Sequence, residues 1–399
     1  MSVSRVGVVG AGTMGAGIAQ LAALAGYEVV LLDNDAEILE LAAMRLGEDL
    51  SKGTSHRRWN EDEAEAALER LDYVTDLGGL AGCDLVIEAA PESVELKRAI
   101  FTDLANALGP EVVLATNTSS LRVSEIAAGV PQPERLVGMH FFNPPVLMQL
   151  VEVVAAERSS EPALAAATEV AERLGRTPIR AKDSPGFVAN RLARPFTLES
   201  LRMLGDCVAD APTIDRIARL GGGFRMGPFE LLDLIGLDVN LEIARSFFRQ
   251  GGEPERWRPS PIQEELVAEG RFGRKSEHGY YRYGEGHERE LDPELGILAP
   301  TLDPEKLERV DPLAETVLIR LFAQIANEAA FALEEEIASP ADMETAMRLG
   351  FNWPKGPLGI TKLIGPRRAV ELLDRLESER GEAYRAAPLL QAQAKGETA

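Results

Sequence analysis

The sequence has little cysteine and fewer basic than acidic residues. Cys83 and Cys207 are the only cysteines among 399 residues and lie far apart, so we predict no disulfide framework and no thiolate metal site, and we expect no metal. Lys and Arg number 42 against 64 Asp and Glu, a net charge of 42 − 64 = −22. That field repels phosphate backbones and anionic lipid, so we expect neither a nucleic-acid nor a membrane partner. We predict a cytoplasmic protein, since two isolated cysteines fit a reducing compartment.

Long uncharged stretches are also scarce. The twenty residues from Gly7 to Gly26 carry no charge, but six of them are glycine, which disfavours a lone membrane helix. The pattern favours a strand, a tight turn and a helix, and we expect no other stretch to approach the length of a membrane span. The 45% of hydrophobic residues predict a folded core, and the length predicts two or three domains.

Short apolar runs alternate with helical patterns through residues 1–183. This alternation predicts a mostly parallel α/β sheet of the Rossmann type, covered on both faces. The strands are expected at Arg5–Val9, Glu28–Leu32, Leu85–Glu88, Val112–Thr116, Val137–Met139 and Gln149–Val154. The helices are expected at Met14–Ala25, Leu96–Leu108 and Pro162–Leu174, and over most of Ala36–Leu71 with a break near Lys52–Ser55.

From residue 184 onward the pattern is almost entirely helical and repeats itself. The second half matches the first at a constant offset of 129 residues, for example Arg191-Leu192 with Arg320-Leu321, Arg219-Leu220-Gly221 with Arg348-Leu349-Gly350, and Gly227-Pro228 with Gly356-Pro357. Generic helix composition does not explain such matches in one register. We predict an all-α region of two tandem copies, residues 184–285 and 310–388, joined by a linker at 286–309 and followed by a frayed tail at 389–399.

The first motif that indicates chemistry is Gly10-Ala11-Gly12-Thr13-Met14-Gly15, between a predicted strand and a predicted helix. Gly10 permits a tight turn, Gly12 lets a pyrophosphate approach, and Gly15 lets the helix pack closely. Asp33 ends the second strand about 20 residues further on, where a carboxylate binds ribose hydroxyls and disfavours a 2′-phosphate. These residues predict NAD rather than NADP, and the alternative is a glycine-rich turn without a ligand.

The second constellation is a histidine and a glutamate on successive predicted strands. Of the four histidines only His140 lies among apolar residues at a strand end, and Glu152 has apolar neighbours on the next strand. A carboxylate that orients an imidazole is the arrangement expected for a general base. The spacing alone leaves open the alternative of a packed core histidine with a surface glutamate.

Two further polar side chains are candidates for substrate binding. Ser119 follows a strand, at the end where α/β sheets bind ligands, while Ser120 is expected to cap the next helix. Asn190 is expected one turn inside a long helix over Phe187–Gly205, which follows the domain junction. The alternatives are a helix cap for the serines and a solvated helix face for Asn190. The second copy has Ile319 at the matching position, so we expect that copy to be structural.

The motifs GAGTMGAGIAQ, TNTSSL, GMHFFNPP, LVEVV and DSPGFVANR occur in an order that resembles the L-3-hydroxyacyl-CoA dehydrogenase family. The resemblance implies reversible, NAD-dependent oxidation of (S)-3-hydroxyacyl-CoA to 3-oxoacyl-CoA, in fatty-acid β-oxidation or a related pathway. It implies His140 as the catalytic acid and base and Glu152 as its orienting carboxylate. The other roles it implies are contacts to the reacting oxygen for Ser119 and Asn190, to the nicotinamide-side ribose for Glu92 and Lys97, and elsewhere on the cofactor for Asn143 and Lys275.

The sequence departs from the family pattern in two places. The stretch expected to bind CoA phosphates offers Lys52, Arg57 and Arg58, with His56 and Asp49 among them, so those contacts are not assigned. The duplicated helical unit resembles longer bacterial members and the dehydrogenase part of multifunctional enzymes, which implies internal pseudo-two-fold packing of the copies and leaves dimerisation open. Two other functions stay open, a dehydrogenase of a free hydroxy acid or sugar acid and a non-catalytic NAD-binding sensor.

Overall fold

The computed structural model describes residues 3–284, 289–291 and 311–397 of the chain. The chain divides into two compact units, Met1–Phe187 and Val188–Ala399. The division falls four residues beyond the boundary predicted at 183. The predicted linker at 286–309 lies outside the described residues, except for its residues 289–291.

The first unit is built on one eight-stranded sheet. Its strands are β1 (Arg5–Val9), β2 (Glu28–Leu32), β3 (Leu71–Val74), β4 (Leu85–Glu88), β5 (Val113–Thr116), β6 (Leu136–Phe141), β7 (Leu150–Ala155) and β8 (Thr177–Lys182). They lie in the order β3-β2-β1-β4-β5-β6-β7-β8 and pair in parallel, except for the antiparallel pair of β6 and β7. The mostly parallel sheet was predicted. The strand order reverses between β1 and β4, which is where such sheets bind ligands.

Helices connect the strands of the first unit and pack against the sheet. They are α1 (Thr13–Leu24), α2 (Ala36–Ser55), α3 (Glu61–Glu69), α4 (Val94–Ala107), α5 (Val123–Ala127) and α6 (Glu161–Arg173). The break between α2 and α3 falls later than predicted, because Asn60 and Glu63 form a capping box that starts α3. Strands β4, β5 and β6 are buried along their whole length, which explains their continuous apolar runs.

Two strands at the edges of this sheet were not predicted. Strand β3 begins at Leu71, where the range predicted as helical ends, and only this first residue of the strand is buried. Strand β8 has the sequence Thr-Pro-Ile-Arg-Ala-Lys, with a proline and two charged residues. Edge strands carry such residues because one side of their backbone has no partner, and this weakens the apolar pattern that predicts a strand.

The second unit consists of helices and one short hairpin. Its first part contains α7 (Ala189–Gly205), α8 (Ala211–Leu220), α9 (Pro228–Ile235), α10 (Leu237–Gln250), α11 (Pro261–Ala268), β9 (Tyr281–Tyr283) and β10 (Arg289–Leu291). Its second part contains α12 (Pro312–Glu334), α13 (Pro340–Gly350), α14 (Pro357–Ile364), α15 (Pro366–Arg380) and α16 (Pro388–Lys395). The predicted long helix therefore begins at Ala189 rather than at Phe187.

Helices α7 and α12 pack against each other through two buried ion pairs. Arg191 Nε donates to Glu328 Oε1 at 2.8 Å, and Arg320 Nε donates to Glu199 Oε1 at 2.6 Å. In each pair the arginine of one helix meets the glutamate of the other. The positions 191 and 320, and likewise 199 and 328, are 129 residues apart, so the two pairs are equivalent under the offset found in the sequence.

The C-terminal segment differs from the prediction of a frayed tail. Helix α16 packs on α12 and α15, and Leu390 is completely buried there. The prediction for 389–399 is therefore wrong as far as Lys395. The polar residues of the segment suggested fraying, but Leu389 and Leu390 provide an apolar face that neighbouring helices cover.

The prediction about apolar length also needs correction. Helix α12 is long and apolar enough, by length and composition, to cross a membrane, although we expected no stretch beyond Gly7–Gly26 to approach that size. Most of its apolar window is buried inside the protein, as in a core helix. Arg320 and Glu328 interrupt the apolar sequence, and both have partners on α7.

Candidate active site

The glycine-rich turn joins β1 to α1. Gly10 has a φ of +99°, and a Cβ at this position would lie 2.8 Å from the carbonyl oxygen of Ala89. A Cβ on Gly15 would lie 1.7 Å from the carbonyl oxygen of Gly10. Any larger residue at either position would displace backbone atoms, so these distances agree with the turn and close-packing roles predicted for the two glycines.

Gly12 differs from Gly10 and Gly15, because a Cβ at position 12 would meet no atom within 4 Å. It begins α1 without a side-chain cap and without an acidic residue in the first turn. The unpaired N–H groups and the positive end of the helix dipole are available to an anion. Gly12, Thr13 and Met14 line a cleft of about 810 Å³. An uncapped helix end and an open cradle at Gly12 fit the pyrophosphate of a dinucleotide.

Asp33 also lines this cleft, at the carboxyl end of β2. Its Oδ2 accepts a hydrogen bond from the N–H of Ala11 at 2.8 Å, and its Oδ1 accepts one from Asp35 at 3.1 Å. These bonds hold the carboxylate next to the glycine-rich turn, and each oxygen keeps a further lone pair for a ligand. A ribose with free hydroxyls fits this position, whereas a 2′-phosphate would meet a like charge.

We expect Gly12→Ala to weaken NADH binding by about 10-fold or more, because its methyl group would occupy the space of the pyrophosphate. The free energy of unfolding should change by less than about 1 kcal/mol, since the position is open and its φ of −66° suits alanine. Fluorescence titration with NADH and thermal unfolding measure the two effects. Gly47→Ala is the matched control, because its Cβ also meets nothing, in the middle of α2. Unchanged NADH affinity in Gly12→Ala would contradict the pyrophosphate position.

His140 and Glu152 are brought together by the antiparallel pairing of β6 and β7. The two residues are direct partners in the register of the strands, so their side chains lie on the same face. The distance from His140 Nδ1 to Glu152 Oε2 is 2.6 Å. The alternative of a surface glutamate is wrong, since Glu152 is completely buried and His140 is 5% exposed.

The surroundings of His140 determine which ring nitrogen carries the proton. An ionised carboxylate only accepts hydrogen bonds, so Nδ1 carries the hydrogen that Glu152 accepts, and Nε2 keeps its lone pair. The ring packs against Phe142 at 4.5 Å and Phe187 at 5.8 Å between centroids. This apolar enclosure and the buried carboxylate hold the imidazole in one orientation, as a general base requires.

A buried lysine links the ends of β4 and β5. Lys97 is 1% exposed, and its ammonium group donates to Glu88 Oε1 at 2.6 Å and to the carbonyl oxygen of Ala90 at 3.1 Å. Glu88 also accepts a hydrogen bond from the hydroxyl of Thr116 at 2.7 Å. The third oxygen close to the Lys97 ammonium group is Oε2 of Glu92, at 3.4 Å. These contacts give Lys97 a bracing role inside the protein, and its contact to a ribose stays a prediction.

Glu92 organises the loop that carries Ser119. Its Oε1 accepts hydrogen bonds from the hydroxyl of Thr118, from the backbone N–H groups of Ser119 and Ser120, and from the Ser120 hydroxyl, all at 2.6–3.0 Å. Burial alone would raise the pKa of Glu92, but the Lys97 ammonium and these donors outweigh it and leave the pKa below its ordinary value. The carboxylate is therefore ionised at neutral pH and fixes the loop at the carboxyl end of β5.

The predicted cap of the following helix is wrong. Ser120 donates its hydroxyl to Glu92, and the N-terminus of α5 is instead capped by Asp183. Its carboxylate accepts hydrogen bonds from the N–H groups of Val123 at 2.9 Å and Ser124 at 2.7 Å. Sequence separation hid this cap, because Asp183 follows β8 and comes close to α5 only in the folded unit.

The sequence of this chain matches those of known proteins. Residues 5–184 match the family model of the 3-hydroxyacyl-CoA dehydrogenase NAD-binding domain, and residues 186–283 and 317–397 match that of the C-terminal domain. The chain belongs to the 3-hydroxyacyl-CoA dehydrogenase family. Its first unit is the family's NAD-binding domain, and the open cradle at Gly12 and the carboxylate of Asp33 agree with NAD as the cofactor.

Relatives of this family match most or all of the chain. The 3-hydroxyadipyl-CoA dehydrogenase of Escherichia coli K12 is 36% identical, across 99% of this chain and 98% of its own. A probable 3-hydroxybutyryl-CoA dehydrogenase of Deinococcus radiodurans is 41% identical, across 70% of this chain and 100% of its own. The crystal structure of a 3-hydroxybutyryl-CoA dehydrogenase from Escherichia coli K12 has a TM-score of 0.89 at 35% identity, and the match covers 100% of this chain and 99% of that one.

In this member of the 3-hydroxyacyl-CoA dehydrogenase family, three of the predicted site residues lie outside the strands β6 and β7, in other segments of the chain. Asn143 follows β6 and borders a small pocket beside α1 and α2. Asn190 lies in the first turn of α7, in the second unit. Lys275 also belongs to the second unit, where its ammonium group donates to Asp238 at 2.6 Å. Their contacts to cofactor and substrate stay predictions.

The sequence alone did not identify the residues that hold the site residues in place through hydrogen bonds. Glu88 holds Lys97, and Asn117 Oδ1 accepts a hydrogen bond from the N–H of Phe141 at 2.8 Å, next to His140. Glu88 had a detectable signal, since a carboxylate that ends a buried strand needs a partner. Asn117 lay inside a motif already recognised, but its partner on β6 depends on the pairing of two strands.

Proposed function

We propose that this protein catalyses the reversible, NAD-dependent oxidation of (S)-3-hydroxyacyl-CoA to 3-oxoacyl-CoA. The observation that carries the proposal is the buried His140–Glu152 pair, with a nitrogen-to-oxygen distance of 2.6 Å. His140 lies one residue before the end of β6, at the same edge of the sheet as the glycine-rich turn, since β1, β4, β5 and β6 pair in parallel. A proton acceptor and a dinucleotide cradle at one edge are what an alcohol dehydrogenation needs.

The proton is handled by His140. Its Nε2 accepts the proton of the substrate's 3-hydroxyl during oxidation and returns it during reduction of the ketone. The charge that develops on the imidazole ring is stabilised by the carboxylate of Glu152, to which Nδ1–H donates. NAD, when bound, supplies the acceptor for the hydride that leaves C3.

Ser119 and Asn190 are proposed to contact the reacting oxygen of the substrate. Hydrogen-bond donors that are already in place stabilise the negative charge that grows on this oxygen in the transition state. The fixed loop supports this role for Ser119, because Glu92 holds its backbone N–H at 3.0 Å. The resemblance to the family leads us to assign Asn143, Glu92, Lys97 and Lys275 to the cofactor.

We also propose that residues 184–285 and 310–388 are two copies of one helical unit, and that α16 extends the second copy as far as Lys395. Equivalent contacts at positions 129 residues apart support the proposal of two copies. Besides the two ion pairs, Asp215 accepts hydrogen bonds from the N–H groups of residues 229 and 230, and Glu344 accepts them from residues 358 and 359. The copies then face each other as two subunits of a dimer would. We place the protein in the cytoplasm, in β-oxidation or a related acyl-CoA pathway.

The direct test is the oxidation of NADH in the presence of acetoacetyl-CoA, followed at 340 nm. We expect turnover that needs both substrates, and no turnover with free acetoacetate. Reaction with the free acid alone would favour a dehydrogenase of free hydroxy acids. A folded protein that binds NADH but turns over neither compound would contradict the proposal and favour an NAD-binding sensor.

A further inference from the structure

One buried cation of the second unit has no anion. Among the described residues six cationic side chains are buried, and five of them have oxygen acceptors, namely Lys97, Arg135, Arg191, Arg271 and Arg320. Arg194 on α7 is the sixth and is 5% exposed. Within the described part of the chain its guanidinium makes no hydrogen bond and no ion pair, and its Nε is enclosed without an acceptor.

The contact that the structure gives this guanidinium is the ring of Phe247, with Arg194 Cζ 4.7 Å from the ring centroid. Burial lowers the pKa of Arg194 to about 10, so the group still carries its charge at neutral pH. A buried charge without a partner is strongly unfavourable. A face-on aromatic ring offsets part of that cost, but it offers no acceptor to the N–H groups. This environment suits an anion that arrives with a ligand.

The position of Arg194 indicates which ligand. It follows Asn190 by four residues on α7, so the two side chains share one face, about 6 Å apart along the helix axis. In the second copy the matching residues are Ile319 and Ala323. The ion-pair partners of the two helices are retained in both copies, whereas the polar residues of this face occur in the first copy alone. In the second copy this face packs as apolar core, so the helical unit itself does not require the polar residues Asn190 and Arg194.

We propose that Arg194 binds a carboxylate at the far end of the substrate's acyl chain, so that the enzyme prefers ω-carboxylated 3-hydroxyacyl-CoA thioesters. The inference rests on the proposed function, which brings the C3 oxygen to Asn190. A six-carbon dicarboxylic chain ends about 4 Å beyond C3, within reach of an arginine one helical turn away. The phosphates of CoA are separated from C3 by the pantetheine arm and lie too far for the same contact. A carboxylate is bound by the two parallel N–H groups of the guanidinium fork.

The test compares two thioesters of equal length, 3-oxoadipyl-CoA and 3-oxohexanoyl-CoA, with NADH. We expect kcat/KM of the wild type to favour the dicarboxylic substrate by about 100-fold, and Arg194→Met to reduce this ratio to about 10-fold or less. Arg194→Lys keeps the charge without the fork and should give an intermediate ratio. Arg249→Met is the control, because Arg249 lies on α10 with its side chain 64% exposed, and the preference should persist.

Binding of the unreactive adipyl-CoA and hexanoyl-CoA, measured by calorimetry, separates this inference from the proposed function. A preference for adipyl-CoA that Arg194→Met abolishes supports the carboxylate site even without turnover. Turnover of both substrates with no preference in the wild type would overturn the inference and leave the dehydrogenase intact. An equal loss of free CoA affinity in Arg194→Met would also overturn it, since it would assign the guanidinium to a CoA phosphate.

Discussion

Replacing His140 with glutamine is expected to lower kcat for acetoacetyl-CoA reduction by about 10³-fold, while NADH binds with unchanged affinity. Glutamine has a similar length but no group that takes up a proton near neutral pH. The cofactor cradle is built from other elements, β1, α1 and β2, so it should be unaffected. Steady-state kinetics and fluorescence titration with NADH measure the two effects on the same preparation.

A matched variant controls for the loss of a histidine as such. His56 is exposed at the end of α2, where its Nδ1 lies 2.7 Å from the carbonyl oxygen of Lys52. His56→Gln should retain the kcat of the wild type. A His140→Gln variant that retains more than about a tenth of the wild-type kcat would show that another group transfers the proton, because a well-placed acid–base contributes at least 10²-fold.

The contact between His140 and Glu152 shows how much of the site can be predicted from the sequence. Both residues stood out as polar groups in apolar strands, so each was a candidate. Their approach to 2.6 Å depends on the antiparallel turn between β6 and β7, whereas the remainder of this sheet is parallel on either side. A one-residue change of register would place the two side chains on opposite faces. The sequence alone does not specify that register.

The buried charges mark the limit of prediction from sequence. Arg194 and Lys97 lie in helices, where cationic residues are usually exposed, and neither has a local sequence signal of burial. Lys97 was singled out through the resemblance to a family, and Arg194 was not singled out at all. Arg194 is buried by packing against Phe247, which is distant in the sequence, whereas Lys97 is held by Glu88 and Ala90 just before its own helix. The frayed tail was mispredicted for a related reason, because the partners of Leu390 lie on α12 and α15.

The ion pairs between α7 and α12 should be the most sensitive part of the second unit. Arg320→Met removes the cation that faces Glu199, a completely buried carboxylate whose other nearby cation is Arg202 at 3.5 Å. Loss of one partner of a buried pair leaves an uncompensated charge, so we expect the free energy of unfolding to fall by about 3–5 kcal/mol. Urea titration followed by the fluorescence of Trp257 and Trp353, which both lie in the second unit, measures the change.

The variant Arg191→Met, at the position that the repeat relates to Arg320, should lower the free energy of unfolding by less than Arg320→Met does. Its partner Glu328 keeps two other donors, Arg256 at 3.1 Å and the indole N–H of Trp257 at 3.0 Å. Arg194→Met, three residues further along the same helix, should not lower the free energy of unfolding, because it removes a buried charge that has no ion-pair partner. The expected order of destabilisation is Arg320, then Arg191, then Arg194. Equal losses at all three positions would mean that the volume of the side chain, and not its ion pair, determines the stability of this helix contact.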